Sequence, residues 1–217
     1  MSHEYTHAQP DAHGAEMFEP GSWDERYSGS EAIWSGKANP QLVTIASTLS
    51  PGTALDVGCG EGGDVIWLAQ QGWQVTGADF SRNGLDRAAQ HVAAAGVADR
   101  VDWWQVDART FEAQGRSFDL VTTHYLHPPD GGMVAVAGRL AAAVAPGGHL
   151  LIVGHAISPM FEHLSQSHRN AMFTATDLVD ALPAGFEVLV DEDRPRSVVR
   201  DGMQVDIADA TLLATRR

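Results

Sequence analysis

From Thr53 onward, short apolar runs alternate with stretches of helical spacing, and the first run is followed by glycines at Gly58, Gly60 and Gly63. A G-x-G-x-x-G between a strand and a helix constrains the chain more than any other feature. It needs a parallel βαβ unit whose first turn lets the backbone approach a ligand. Asp79 follows about 20 residues later, where a carboxylate would meet ribose hydroxyls.

The alternation extends in both directions. Ala54–Val57 reads as the first strand, followed by a helix holding Val65, Ile66, Leu68 and Ala69 that stops near Gly72. Trp73–Ala78 is a second strand, Ser81 caps a helix through Ala95 ahead of Gly96, and Val101–Val106 is a third strand. Phe118–Thr122 is the fourth, and an Ala-rich helix over Gly132–Val144 closes at Pro146-Gly147-Gly148 before a fifth strand at His149–Val153. Upstream, Asn39 and Pro40 open a helix through about Leu49. Downstream, Thr174 with Asp177 forms a capping box, and Phe186–Val190 and Gln204–Leu213 read as final strands. Residues 154–173 have no clear period, as in a binding loop or lid. These elements predict an α/β Rossmann-like fold: a seven-stranded, mostly parallel sheet with helices on both faces, a three-layer sandwich.

With 217 residues and 44% hydrophobic side chains, one domain over 23–217 is expected behind a polar, His-containing tail over 1–22. In that domain, 23–50 would supply lid helices and 154–173 a substrate-side insertion. No segment reads as a secretory signal or membrane span, so a cytoplasmic protein is expected, a monomer or homodimer without membrane partners. Fourteen basic against 28 acidic residues give a net charge of −14, whose field repels a phosphate backbone; no nucleic-acid partner is expected.

The glycine loop alone would serve a dinucleotide as well as S-adenosylmethionine (SAM). Three carboxylates decide between them. Asp56, Glu61 and Asp64 surround the loop and the helix start, poor company for a pyrophosphate and good company for an ammonium and a sulfonium.

Ala54-Leu-Asp-Val-Gly-Cys-Gly-Glu-Gly62 resembles the first motif of class I SAM-dependent methyltransferases. Val75-Thr-Gly-Ala-Asp79-Phe80-Ser81 resembles the family's second strand, and Asp107-Ala108 its adenine-contacting pair. Trp23-Asp-Glu-Arg-Tyr27, with Trp34 and Asn39, is similar to the N-terminal segment of small bacterial enzymes of the tellurite-resistance and thiopurine type. The resemblance implies SAM as cofactor, with S-adenosylhomocysteine (SAH) as product. The cofactor-binding residues it implies are Tyr27, Trp34, Asp56, Gly58, Cys59, Gly60, Asp79, Phe80, Asp107, Ala108, Thr123 and His124. Tyr27 and Trp34 would lie over the methionine end.

Methyl transfer from a sulfonium is an in-line displacement, and a hydroxyl, phenol or protonated amine must also lose a proton. His124, His127 and His155 fall just after strands four and five and are the candidate bases. Tyr125, Phe161 and His163 are candidate substrate contacts, with His168 in the same segment. No histidine spacing matches a recognised metal pattern, so no metal is expected. The expected function is methyl transfer to O, N or S of a small-molecule acceptor. The alternatives are a non-catalytic SAM-binding regulator and an NAD-dependent oxidoreductase.

Overall fold

The computed structural model describes residues 19–29, 31–129, 132–157, 166–200 and 203–217. Seven strands form one sheet in the order β3-β2-β1-β4-β5-β7-β6. They are β1 (Thr53–Val57), β2 (Gln74–Asp79), β3 (Val101–Gln105), β4 (Phe118–His124), β5 (Val144–His155), β6 (Phe186–Arg200) and β7 (Met203–Arg216). Strands β1 to β5 pair in parallel, and β7 enters antiparallel between β5 and β6. The central parallel strands β1, β2 and β4 are buried along nearly their whole length, which is why they do not read as alternating apolar and polar residues.

Helices cover both faces. Leu42 and Ile45 of α2 (Pro40–Ala46), Val65 and Leu68 of α3 (Gly63–Gln70), and Leu85 and Val92 of α4 (Arg82–Ala94) share one apolar cluster with Trp73. On the other face, Met133, Val136 and Leu140 of α5 (Gly132–Ala141) and Leu178 of α7 (Ala175–Val179) pack with Phe111, Ile152 and Phe173. The remaining helices are α1 (Pro20–Ser28) and α6 (Gln166–Ala171).

Four expectations are corrected. The tail was expected to reach residue 22, but Pro20 starts α1, its fixed φ suiting a first turn. The α5 helix stops at Ala141 because β5 already begins at Val144 and passes through Pro146–Gly148 with a register shift against β4. A Cβ on Gly148 would lie 2.9 Å from the Phe118 carbonyl oxygen, so only glycine permits this pairing. The aperiodic segment shrinks, since β5 runs to His155 and α6 occupies Gln166–Ala171. The final strands form a far longer hairpin than expected, running from Phe186 to Arg200 and from Met203 to Arg216. Pro195 hid this length in the sequence; it is tolerated because β6 is the sheet edge.

Candidate active site

The carboxyl ends of β1, β2 and β4 converge on the glycine loop. Asp79 stitches that loop to α4: one carboxylate oxygen accepts from the Gly60 amide at 2.9 Å, the other from the Ser81 amide at 2.9 Å. Burial raises its carboxyl above the usual range, opposed by these amides, and each oxygen keeps a lone pair for a further donor. Gly60 has φ +49°, and a Cβ there would lie 2.8 Å from the Tyr27 hydroxyl and 3.3 Å from Trp34 Nε1. The two aromatics named from sequence therefore do lie over the loop. Trp34 Nε1 donates to Tyr27 Oη at 3.0 Å, and Trp23 stacks on Trp34 with ring centroids 5.9 Å apart. Cys59 is buried, Phe80 half-buried, and Ala108 packs into the core.

Beneath the loop, Asp56, Asp64 and His124 offer ligand atoms within 4.8 Å of one another. His124 Nδ1 lies 2.9 Å from Asp64 and 3.9 Å from Asp56, while Nε2 lies 2.9 Å from Thr122 Oγ1. Despite burial, the Asp64 charge holds the His124 imidazole above its ordinary pKa, and the imidazolium in turn holds Asp64 low. Burial, with Asp64 nearby, pushes the Asp56 carboxyl up to about 8. Asp56 Oδ2 is buried without a hydrogen-bond partner. The three come from β1, the first turn of α3 and the end of β4, so the sequence pointed to Asp56 and Asp64 beside the loop but not to their meeting with His124.

Glu61 does not act as expected. Instead of adding negative charge beside a ligand, it is buried against Arg87 and accepts from the Ile33 and Trp34 amides at 3.1 and 3.0 Å. Arg87 also donates to the carbonyls of Gly29 and Glu31. Together they strap the segment after α1 to the loop. Asp107 is likewise committed: Arg109 closes both its oxygens, at 2.7 Å to one, and holds its carboxyl low. Of the three carboxylates named from sequence, Asp56 and Asp64 lie together beneath the loop and Glu61 is paired away from it.

A second polar group lies where β4 and β5 meet the antiparallel half. Tyr125, at φ +53°, donates its hydroxyl to Asp209 at 3.0 Å, and Arg196 Nε donates to the same oxygen at 2.7 Å. The rings of Tyr125, His155, His127 and Phe173 follow one another at centroid separations of 4.5, 5.2 and 5.6 Å. His127 Nδ1 donates to the Ala171 carbonyl and Nε2 accepts from the His155 amide, so both its nitrogens are engaged. Burial pulls His127 and His155 down to about 4, with Arg196 adding to the effect on His155. Asp209 and Arg196 were missed because their significance depends on a hairpin register that apolar patterning does not reveal. Phe161 and His163 lie outside the described residues. Thr123 is buried with its hydroxyl unpartnered.

A groove of about 530 Å³ between α1 and α4, lined by Tyr27, Asn83, Arg87 and His91 among others, includes none of the candidate bases.

A family profile described as "Methyltransferase domain" matches residues 54–148, the span from β1 into β5 that carries the loop. Among curated relatives, methyltransferase GfsG of Streptomyces halstedii is 39% identical over 61% of this chain and 48% of its own length. Thiocyanate methyltransferase 1 of Brassica oleracea is 27% identical over 84% of this chain and 81% of its own. The region from β1 into β5 is thus similar to methyltransferase domains. A SAM-dependent methyltransferase of Anabaena variabilis shares the fold, at a TM-score of 0.69 and 17% identity with each chain fully covered. The chain spans about half the length of GfsG but most of the thiocyanate enzyme. Among its described residues no helix is long and apolar enough to cross a membrane.

Proposed function

We propose that this chain transfers the methyl group of SAM to a heteroatom of a small molecule, and that the Asp56–Asp64–His124 trio anchors the cofactor's charged end. The observation that carries this reading is Asp56 Oδ2, buried and unpartnered under the glycine loop. With Asp64 already paired to His124, Asp56 is the carboxylate left to meet an α-ammonium. When bound, SAM supplies a methyl group on a positively charged sulfur that accepts the carbon–sulfur electron pair on departure.

The remaining roles follow from position. Gly58 and Gly60 admit the ligand to the backbone, Tyr27 and Trp34 cover it, and Asp79, beside Phe80, takes the ribose on its spare lone pairs. Asp107 supports the adenine end mainly by shaping the turn through Ala108, since Arg109 occupies its carboxylate. Of the candidate bases, His124 is committed to Asp64 and Thr122 and His127 has both nitrogens engaged, while His155, with a third of its side chain exposed, is the candidate assigned to the acceptor side. Tyr125 lines the acceptor side. The net charge of −14 supports a small-molecule acceptor over a nucleic acid.

Calorimetric titration with SAH, with NAD in parallel, tests the cofactor assignment. Binding of SAH alone is expected, after which labelled SAM with thiols, phenols and amines should show transfer. Binding of NAD alone overturns the reading.

A further inference from the structure

We propose that Asp56, Asp64 and His124 also form a site for a divalent transition-metal ion, taken in place of the cofactor's ammonium, so that such an ion and the cofactor exclude one another. The ion site stands on the geometry of the trio alone. The exclusion rests on the cofactor assignment above.

The three side chains converge without satisfying one another. His124 Nδ1 is buried and lies 2.9 Å from Asp64 Oδ2, yet the two are too poorly aligned for a hydrogen bond, and Nδ1 is left without a partner. Asp56 Oδ2 is equally buried and has no donor. One nitrogen and one oxygen are thus withdrawn from water with nothing in return, which is costly unless a further group joins them. The separations of 2.9 Å from Nδ1 to Asp64 and 3.9 Å to Asp56 straddle the spacing of about 3–3.5 Å that donors take around an ion held at about 2.1 Å.

The outer contacts are those a metal ligand needs. His124 Nε2 lies 2.9 Å from the hydroxyl of fully buried Thr122, which sets the ring with Nδ1 toward the carboxylates. Asp64 Oδ1 accepts from the Asn39 amide at 2.6 Å, which leaves Oδ2 on the His124 side. Asp64 keeps 18% of its side chain exposed, so the trio has an opening by which an ion can enter.

Donor type and charge select the ion. One imidazole nitrogen with two carboxylate oxygens suits Zn2+, Co2+ or Mn2+ better than Ca2+ or Mg2+, which favour oxygen alone. Two ionised carboxylates are neutralised by a protonated imidazole together with a ligand ammonium, or by a neutral imidazole together with a dication. Both fillings leave the buried site without net charge, and both need Asp56. An ion in the trio therefore displaces the ammonium, and the ammonium displaces the ion.

The test uses the full chain, free of cofactor, with Co2+ and Mn2+ as probes. Calorimetry with Co2+ is expected to show a site that persists when His3, His7 and His13 are all replaced by Gln. Substoichiometric Mn2+ should broaden the NMR signals of Asp56, Asp64 and His124 before any others. Asp56→Asn should weaken Co2+ about tenfold or more, and Thr122→Val, which removes no ligand but frees the imidazole, about 10- to 100-fold. The apparent dissociation constant of SAH should rise in proportion to free Co2+ once the ion exceeds its own dissociation constant. Broadening centred elsewhere in the unmodified protein, or Co2+ binding that disappears with the three N-terminal histidines, overturns the proposal even if Asp56→Asn or Thr122→Val fails to fold. SAH affinity that saturating Co2+ leaves unchanged also overturns it. SAH that fails to bind the metal-free protein would instead count against the methyltransferase reading, and the Mn2+ signals would still decide the ion site.

Discussion

Arg87 and Glu61 form a buried ion pair whose disruption has a calculable cost. Only 14% of the arginine side chain and 4% of the glutamate side chain are exposed, and both are tied to backbone groups of residues 29–34. Arg87→Met keeps the apolar stem but leaves the Glu61 carboxylate buried with two amide donors. Removing one partner of such a pair typically costs about 3–5 kcal/mol, and the retained amides place this case near about 3. In a domain of this size that corresponds to a melting temperature lower by about 6–12 °C. Glu61→Gln added to Arg87→Met removes the orphaned charge while its amide oxygen still accepts from Ile33 and Trp34, so the double variant should lose only about 1 kcal/mol. Urea unfolding of the unmodified protein, both single variants and the double gives the coupling energy, expected to be about 2 kcal/mol plus the cost of Glu61→Gln alone. Hydrogen exchange at the Ile33 and Trp34 amides shows whether the strap opens alone or with the whole domain. A double variant as unstable as the sum of its singles would refute the argument, as would an Arg87→Met protein within about 1 kcal/mol of the original with unaltered exchange.

Three further outcomes are expected. Asp56→Asn removes the surplus charge of the trio and should weaken SAH binding about tenfold or more by calorimetry, while in the unmodified protein binding near pH 7 should release protons, because a ligand ammonium favours ionisation of a carboxyl otherwise held at about 8. Unchanged affinity would remove Asp56 from the site. Gly60→Ala combines a left-handed φ with a Cβ 2.8 Å from Tyr27 Oη, so the Tyr27–Trp34 bond should break, seen as a change in tryptophan emission and a loss of about 1–3 kcal/mol in stability. His127 is held near 4 when folded against an ordinary 6.5, so the unfolded chain binds the extra proton first and stability should fall as pH drops from 6.5 toward 4; His127→Gln should flatten that dependence in urea titrations. An equally steep slope in the variant would argue against it.

The parallel half of the sheet was legible because its physics is local. Burial on both faces makes β1, β2 and β4 continuous apolar runs, and Ser81, Asn39 and Thr174 announce their helices by capping backbone amides within three residues. Gly58, Gly60 and Asp79 likewise declared a tight loop, where both glycines take a left-handed φ and Asp79 accepts from the Gly60 amide. Glu61 misled because its charge could be read but its partner could not: Arg87 lies on α4, a full βα unit away. Asp209 and Arg196 were invisible for a related reason. They belong to an edge hairpin of mixed charged and apolar residues, and only the pairing of β7 against β5 and β6 brings them to His155.

The strap built on Glu61 makes the glycine loop answerable to something other than its ligand. Any molecule that settles under Tyr27 and Trp34 also firms the anchorage of residues 31–34, and whatever firms that anchorage must tighten the ligand by the same factor. Under the proposed function, cofactor retention is thereby linked to the order of residues 31–34. Trp34, 41% exposed and bonded to Tyr27 above the loop, stands at that junction as a natural optical reporter of the linkage.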